Sequence, residues 1–115
     1  MKRMVLSMGI GLFVLVIVAS VQGTDDNPFD QGKHLYTQKC QICHGIKGNG
    51  DGPAAAAFNP GPADFAVSSF WERYDDKAIA EIIHKGRGQM PAFGLTPDEI
   101  QAVINYMSHT FKPGK

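Results

Sequence analysis

The distribution of apolar positions divides the chain into a leader and a domain. From Met4 to Val21 the run "MVLSMGIGLFVLVIVASV" holds no charged side chain, and Lys2 and Arg3 stand directly before it. Beyond it, apolar residues recur at helical intervals and nowhere alternate strictly with polar ones. Ile79, Ile82 and Ile83 give one face of a helix predicted over about Asp75–Lys85, with Gly86 placed as its C-terminal cap. Ile100, Val103, Ile104 and Met107 follow the i, i+3, i+4, i+7 spacing of a last helix. Thr96 as N-cap, Pro97 at N1 and Glu99 at N3 mark its start with the pattern of a capping box. The earlier segment "FDQGKHLYTQKCQ" has no internal proline and predicts a helix between Pro28 and Gln41. Gly32 costs such a helix about 1 kcal/mol relative to alanine, so a close approach is expected there.

Between these helices, Gly45–Pro62 reads "GIKGNGDGPAAAAFNPGP". It is too rich in Gly and Pro for strands, and helix is confined to Ala54–Phe58. "RGQMPAFG" is a further loop. The class is all-α, with three to four short helices and long irregular connections. Long structureless stretches are uncommon inside a compact domain. They are expected to wrap a large apolar body, completing a core that so short a chain fills poorly by itself.

The leader has the form of an export signal: a basic start, an apolar centre, and Val21 and Gly23 at the −3 and −1 positions of a cleavage site. Cleavage after Gly23 would leave a domain of residues 24–115. The alternative is an uncleaved anchor, since the apolar run is nearly long enough to cross a bilayer. The chain is formally neutral, with 11 basic and 11 acidic side chains. Loss of Lys2 and Arg3 would leave it slightly acidic, which excludes the basic stripe of a nucleic-acid binder.

Chemistry concentrates in "QKCQICHGIKGNGDGP", which contains both cysteines, Cys40 and Cys43, followed by His44. A disulfide suits an exported protein, but a bridge over two residues closes too small a loop to stabilise much. Zinc needs about four ligands, and His34, His84 and His109 are scattered singly. A thioredoxin-like redox pair needs strands that the pattern does not offer. Cys-x-x-Cys-His is the signature of covalent haem attachment: two thiols add to the porphyrin vinyl groups, and the next imidazole reaches the iron. One haem c per chain, held by two thioethers with His44 as iron ligand, is therefore expected. Of the methionines beyond the leader, Met107 belongs to the apolar stripe of the last helix and reads as core. Met90 lies in a loop before Pro91, which keeps it out of helical conformation. It is the candidate sixth ligand.

"CQICH", "GNGDGPAA", "NPGPADF", "GRGQMPAFG" and "VINYM" together resemble, in order, segments of the class I monohaem cytochromes c of bacteria, and in particular the cytochrome c domains of cbb3-type oxidases. The likeness covers Pro28–Phe111. It implies the small cytochrome c fold, its short helices and long loops wrapped around one haem. It implies that Gly32 and Tyr36 pack against Val103 and Tyr106 of the last helix. It further implies that the Pro53 carbonyl accepts the second imidazole N–H of His44, and that Phe65, Phe70, Trp71 and Phe93 line the haem pocket beside Pro91. Trp71 either donates to a haem propionate or simply packs. Arg87 either pairs with a propionate or is a solvated charge. His84 reads as a helix cap.

With His44 and Met90 both on the iron, no site remains for substrate. The expectation is a periplasmic electron carrier, not an enzyme, monomeric and serving redox partner proteins whose identity the sequence does not give. Contact with a membrane is expected only if the leader remains as an anchor. The alternatives are an electron-entry haem subunit of a dehydrogenase or terminal oxidase, and a ligand-binding or peroxidase-like haem protein. Lys39, Lys47, Lys85 and Arg87 lie near the attachment and ligand segments, either as a docking face for an acidic partner or as ordinary solvated charges.

Overall fold

Asn27 opens the first helix by accepting the amide of Phe29 on its side-chain oxygen at 3.0 Å, with Pro28 next in the first turn. The structure, a computed structural model, describes residues 27–114, so the expected leader over residues 1–23 lies outside it. Helix α1 runs Pro28–Lys39 and α2 is the single turn Gln41–His44. A 3₁₀ turn follows at Ala55–Ala57, then α3 at Ser68–Arg73, α4 at Asp76–Lys85 and α5 at Pro97–Phe111. There is no strand among the described residues, only one isolated bridge between Arg87 and Met90. None of their helices is long and apolar enough to cross a membrane.

Local chemistry accounts for the long helices. The Asp75 carboxylate accepts the Ala78 amide at 2.8 Å and starts α4. Gly86 ends that helix at a positive φ of 75°, a conformation open to glycine. The capping box of α5 is complete: Thr96 accepts the Glu99 amide at 3.2 Å, and Glu99 accepts the Thr96 amide at 2.8 Å. Helices α2 and α3 exceed the expected three to four. Each is too short to display a 3.6-residue period, and Val67 before α3 makes no side-chain cap bond.

The core forms where α1 crosses α5. Leu35 and Tyr36 meet Val103, Ile104, Tyr106, Met107 and Phe111, and Ile79 and Ile83 of α4 join from one side. Gly32 marks the point of closest approach. A Cβ there would overlap the Ala102 carbonyl and lie 3.0 Å from Cβ of Tyr106. The expected partners, Val103 and Tyr106, are both buried at this interface, but the backbone of Ala102 sets the contact. Tyr36 and Tyr106 pack tilted, with ring centroids 5.4 Å apart.

Gly32→Ala should therefore cost about 2 kcal/mol, because two packed backbones must move apart. Gly94, exposed and with open space around its Cα, should tolerate alanine within about 0.5 kcal/mol. Urea unfolding of the two haem-loaded variants checks this, and equal midpoints would show that the crossing is not tight.

Candidate functional site

The Cys40–His44 turn is held from both sides. The Cys40 amide bonds the Tyr36 carbonyl at 2.9 Å, and the His44 amide bonds the Cys40 carbonyl at 2.9 Å, so the motif continues the last turn of α1. The Tyr36 hydroxyl, fully buried, donates to the Gly45 carbonyl at 2.7 Å directly after His44. Burial keeps that phenol protonated, above its ordinary range. The glycine-rich loop then folds back on the motif through its backbone alone. Gly50 donates to the His44 carbonyl at 2.8 Å, Gly52 to Cys43 at 3.0 Å and Ala54 to Ile42 at 2.9 Å. A side chain on Gly52 would collide with the Ile42 carbonyl.

This arrangement directs Cys40, Cys43 and His44 to one cavity of about 630 Å³. Both cysteines are free thiols. Burial raises the Cys40 thiol to about 11, against the opposing pull of Lys39. Nδ1 of His44 lies 3.2 Å from the Ala63 carbonyl oxygen. A carbonyl only accepts, so Nδ1 carries the proton and Nε2 keeps its lone pair. Nε2 has no protein partner among the described residues. Burial also lowers the histidine pKa, partly offset by the Ala63 bond, which favours the neutral ligand form.

The acceptor is thus Ala63 and not Pro53. The physical reason lies in the loop: its segment up to Ala54 is pinned to the backbone of α2, away from the ring. Pro53 is exposed and does not line the cavity. The next segment reaches the imidazole instead, and Phe65 stacks on it with centroids 4.5 Å apart and planes at 18°. Phe70 meets Phe65 edge-on at 4.9 Å. Phe65, Phe70, Pro91 and Phe93 all line the cavity, and Trp71 does not. The Trp71 indole N–H donates to the Phe65 carbonyl at 2.8 Å, so it steadies the stacking ring rather than reaching a propionate.

Met90 reaches the same cavity from the loop after α4. Arg87 and Met90 exchange both backbone hydrogen bonds at 2.9 Å, closing a two-residue turn with Gly88 at its first central position, φ 56°. Gly86 cannot carry a side chain, since a Cβ would come within 2.7 Å of the Met90 carbonyl. The Phe93 amide donates to the Ile83 carbonyl at 3.2 Å and returns the loop to α4. Arg87 donates to the Tyr74 hydroxyl at 2.9 Å and lies over its ring at 5.5 Å, which lowers the phenol from its ordinary pKa. Gln89 reaches the Asn59 carbonyl at 3.2 Å.

Met107 belongs to the buried core of α5 and also touches the cavity. Among the cations considered for docking, Lys39 and Arg87 line the cavity together with Arg73, and no carboxylate among the described residues does. Lys85 is paired with Glu81 at 2.7 Å on the exposed surface, and Lys47 is exposed elsewhere. His34, His84 and His109 are exposed, with His109 set edge-on to Phe29. No three His, Cys, Asp or Glu side chains gather into a metal cluster among the described residues. Sequence reasoning missed Ala63, Tyr74 and the anchoring role of the Tyr36 hydroxyl. A backbone carbonyl gives no signal in sequence, because every residue has one.

The donor set fits haem c: two free thiols and an imidazole nitrogen on an apolar cavity, with a thioether lining the same space. Known proteins resemble the chain. Residues 27–107 match the family model described as "Cytochrome C oxidase, cbb3-type, subunit III". Cytochrome c6 of Gloeothece citriformis is 33% identical over 72% of this chain and 72% of its own length. Cytochrome c-551 of Bacillus subtilis is 30% identical over 90% of each. A nitric oxide reductase subunit of Halomonas halodenitrificans is 30% identical over 69% of this chain, which spans 56% of that relative's length. The solved KustC0563 c-type cytochrome superposes with a TM-score of 0.59 at 31% identity, covering 70% of this chain and 96% of that one.

Removing the Tyr36 hydroxyl tests how the ligand turn is anchored. Tyr36→Phe should leave the buried Gly45 carbonyl without its partner and cost about 1.5 kcal/mol in urea unfolding of the haem-loaded protein. Unchanged stability would mean that the hydroxyl does not hold the turn.

Proposed function

The chain belongs to the c-type cytochrome family described as cytochrome c oxidase, cbb3-type, subunit III, and on that premise we propose a periplasmic electron carrier in which Cys40 and Cys43 bind the haem and His44 and Met90 are its axial ligands. As a c-type cytochrome it transfers electrons and carries covalently bound haem c. The haem supplies a one-electron Fe(III)/Fe(II) couple. The observation that carries the ligand reading is the His44 imidazole: Nδ1 is committed to Ala63, while Nε2 is left free beside two open thiols.

The residues then divide the work. Ala63 and Phe65 fix the orientation of the imidazole, and the Ala63 bond raises its basicity. Met90 brings a neutral, polarisable sulfur, and thioether ligation together with burial favours the reduced state. Phe65, Phe70, Ile83 and Phe93 exclude water from the cavity. With His44 and Met90 holding the iron, no position would be open to substrate, and partners would be served by outer-sphere transfer. Residues 1–23, read as an export signal, support the periplasmic location.

A second reading makes the protein the electron-entry component of a larger enzyme. It is favoured by the family description and by the likeness to a subunit of nitric oxide reductase. Recovery of the native protein in a stable complex would favour it over the free carrier.

Acid–acetone extraction of the denatured protein tests the attachment. The haem colour should stay with the polypeptide, and colour passing wholly into the organic layer would overturn it.

The oxidised protein should show the weak far-red band of iron–thioether bonding. Met90→Ala should abolish that band, lower the potential and admit carbon monoxide to the reduced protein. Met107→Leu should keep the band and cost less than about 1.5 kcal/mol, because it nearly conserves volume. The reverse outcome would exchange the two methionines' roles.

A further inference from the structure

The turn that carries Met90 is a small rigid body. Arg87 and Met90 exchange both of their backbone hydrogen bonds, so whatever fixes Arg87 also fixes Met90. Before the turn stands Gly86 at a positive φ, its amide bonded to the Ile82 carbonyl at 2.8 Å and its Cα set against the backbone of Met90, Pro91 and Ala92. The backbone on the far side is next tied to α4 only at Phe93. Between these points two side chains hold the turn: the Arg87 guanidinium donates to the Tyr74 hydroxyl at 2.9 Å, and the Gln89 amide donates to the Asn59 carbonyl at 3.2 Å.

Tyr74 is a well-founded anchor. It lies at the joint where α3 ends and α4 begins, and its ring packs on Phe70 at 5.2 Å. Phe70 packs on Phe65 at 4.9 Å, and Phe65 stacks on His44 at 4.5 Å. The Met90 turn is therefore fastened to the same row of rings that orients the imidazole. We propose that the Tyr74–Arg87 contact is a positioning device that holds Met90 in the cavity and sets how easily its thioether yields to an outside ligand.

This inference rests on the reading of Met90 as axial ligand. Loss of the contact removes one of the turn's two side-chain holds, and the thioether leaves more readily. An incoming imidazole then forms its nitrogen bond as the sulfur bond breaks, with no change of oxidation state. Both residues stand at the cavity wall, and the positioning role acts through Met90. Tyr74→Phe keeps the ring that packs on Phe70, so His44 keeps its bond to Ala63.

Imidazole titration of the oxidised, haem-loaded protein, followed by loss of the far-red band, reads this directly. Tyr74→Phe keeps the ring and removes only the hydroxyl, and Arg87→Gln removes the charge. Each should lower the imidazole concentration for half-loss about fivefold, the share of one charge-assisted hydrogen bond that survives partial exposure. The double variant should be no more sensitive than either single one, because both remove the same contact. Lys77→Gln, on an exposed face of α4, should match the parent. Parent-like titration of Tyr74→Phe, or additive effects in the double variant, would overturn the positioning role alone. A parent protein without the far-red band would overturn the ligand reading, and this inference with it.

Discussion

An imidazole can present a lone pair to a metal in a fixed direction only if its other nitrogen is held. The bond from His44 Nδ1 to the Ala63 carbonyl supplies that hold, and much of the domain serves to keep its two ends within 3.2 Å. On one side, Tyr36 reaches from α1 to fasten the turn that follows the histidine. On the other, the segment bearing Ala63 is bound through the Phe65 amide to the Gly48 carbonyl at 2.6 Å. The glycine-rich loop joins the two, its own amides spent on the carbonyls of Ile42, Cys43 and His44. The irregular stretch between Gly45 and Ala63 is a hydrogen-bonded brace.

The remaining wall is built from different materials. Helix α4 and the loop after it contribute aliphatic side chains, a proline and a thioether, while α5 contributes the side chain of Met107 from the core side. The charged residues that reach the cavity are all cationic, although the chain as a whole is formally neutral. A cofactor that itself bears carboxylates meets no like charge there. Separating an apolar interior from a cationic lining avoids placing an unpaired ion deep in the protein.

Much of this is legible in the chain itself. Cys40, Cys43 and His44 stand out through spacing that only one common chemistry requires. Met90 stands out because Pro91 removes it from helix, and α4 and α5 because their caps and isoleucine spacing agree. The expected all-α class holds, with α2 and α3 added. What the sequence hides is backbone. Pro53 is the acceptor expected on resemblance, yet Ala63 fills that role, and nothing distinguishes one carbonyl from another in a string of letters. Trp71 is a neighbour of the pocket but not the lining residue expected, because its indole is turned to the Phe65 carbonyl. The Tyr74–Arg87 contact joins residues from separate elements and has no local pattern at all.

The meeting of Gly32 with Ala102 joins positions 70 apart, close to the two ends of the described residues. A contact of that span costs the entropy of closing a long loop before packing returns it, and during synthesis it waits for α5. Until α5 has been synthesised, α1 has no partner for its glycine notch, and the Cys40–His44 segment at its end stays outside any closed core. The geometry thus gives the growing polypeptide an interval in which its thiols remain reachable. Completion of α5 fixes α1 in place and leaves Cys40 and Cys43 facing the finished cavity.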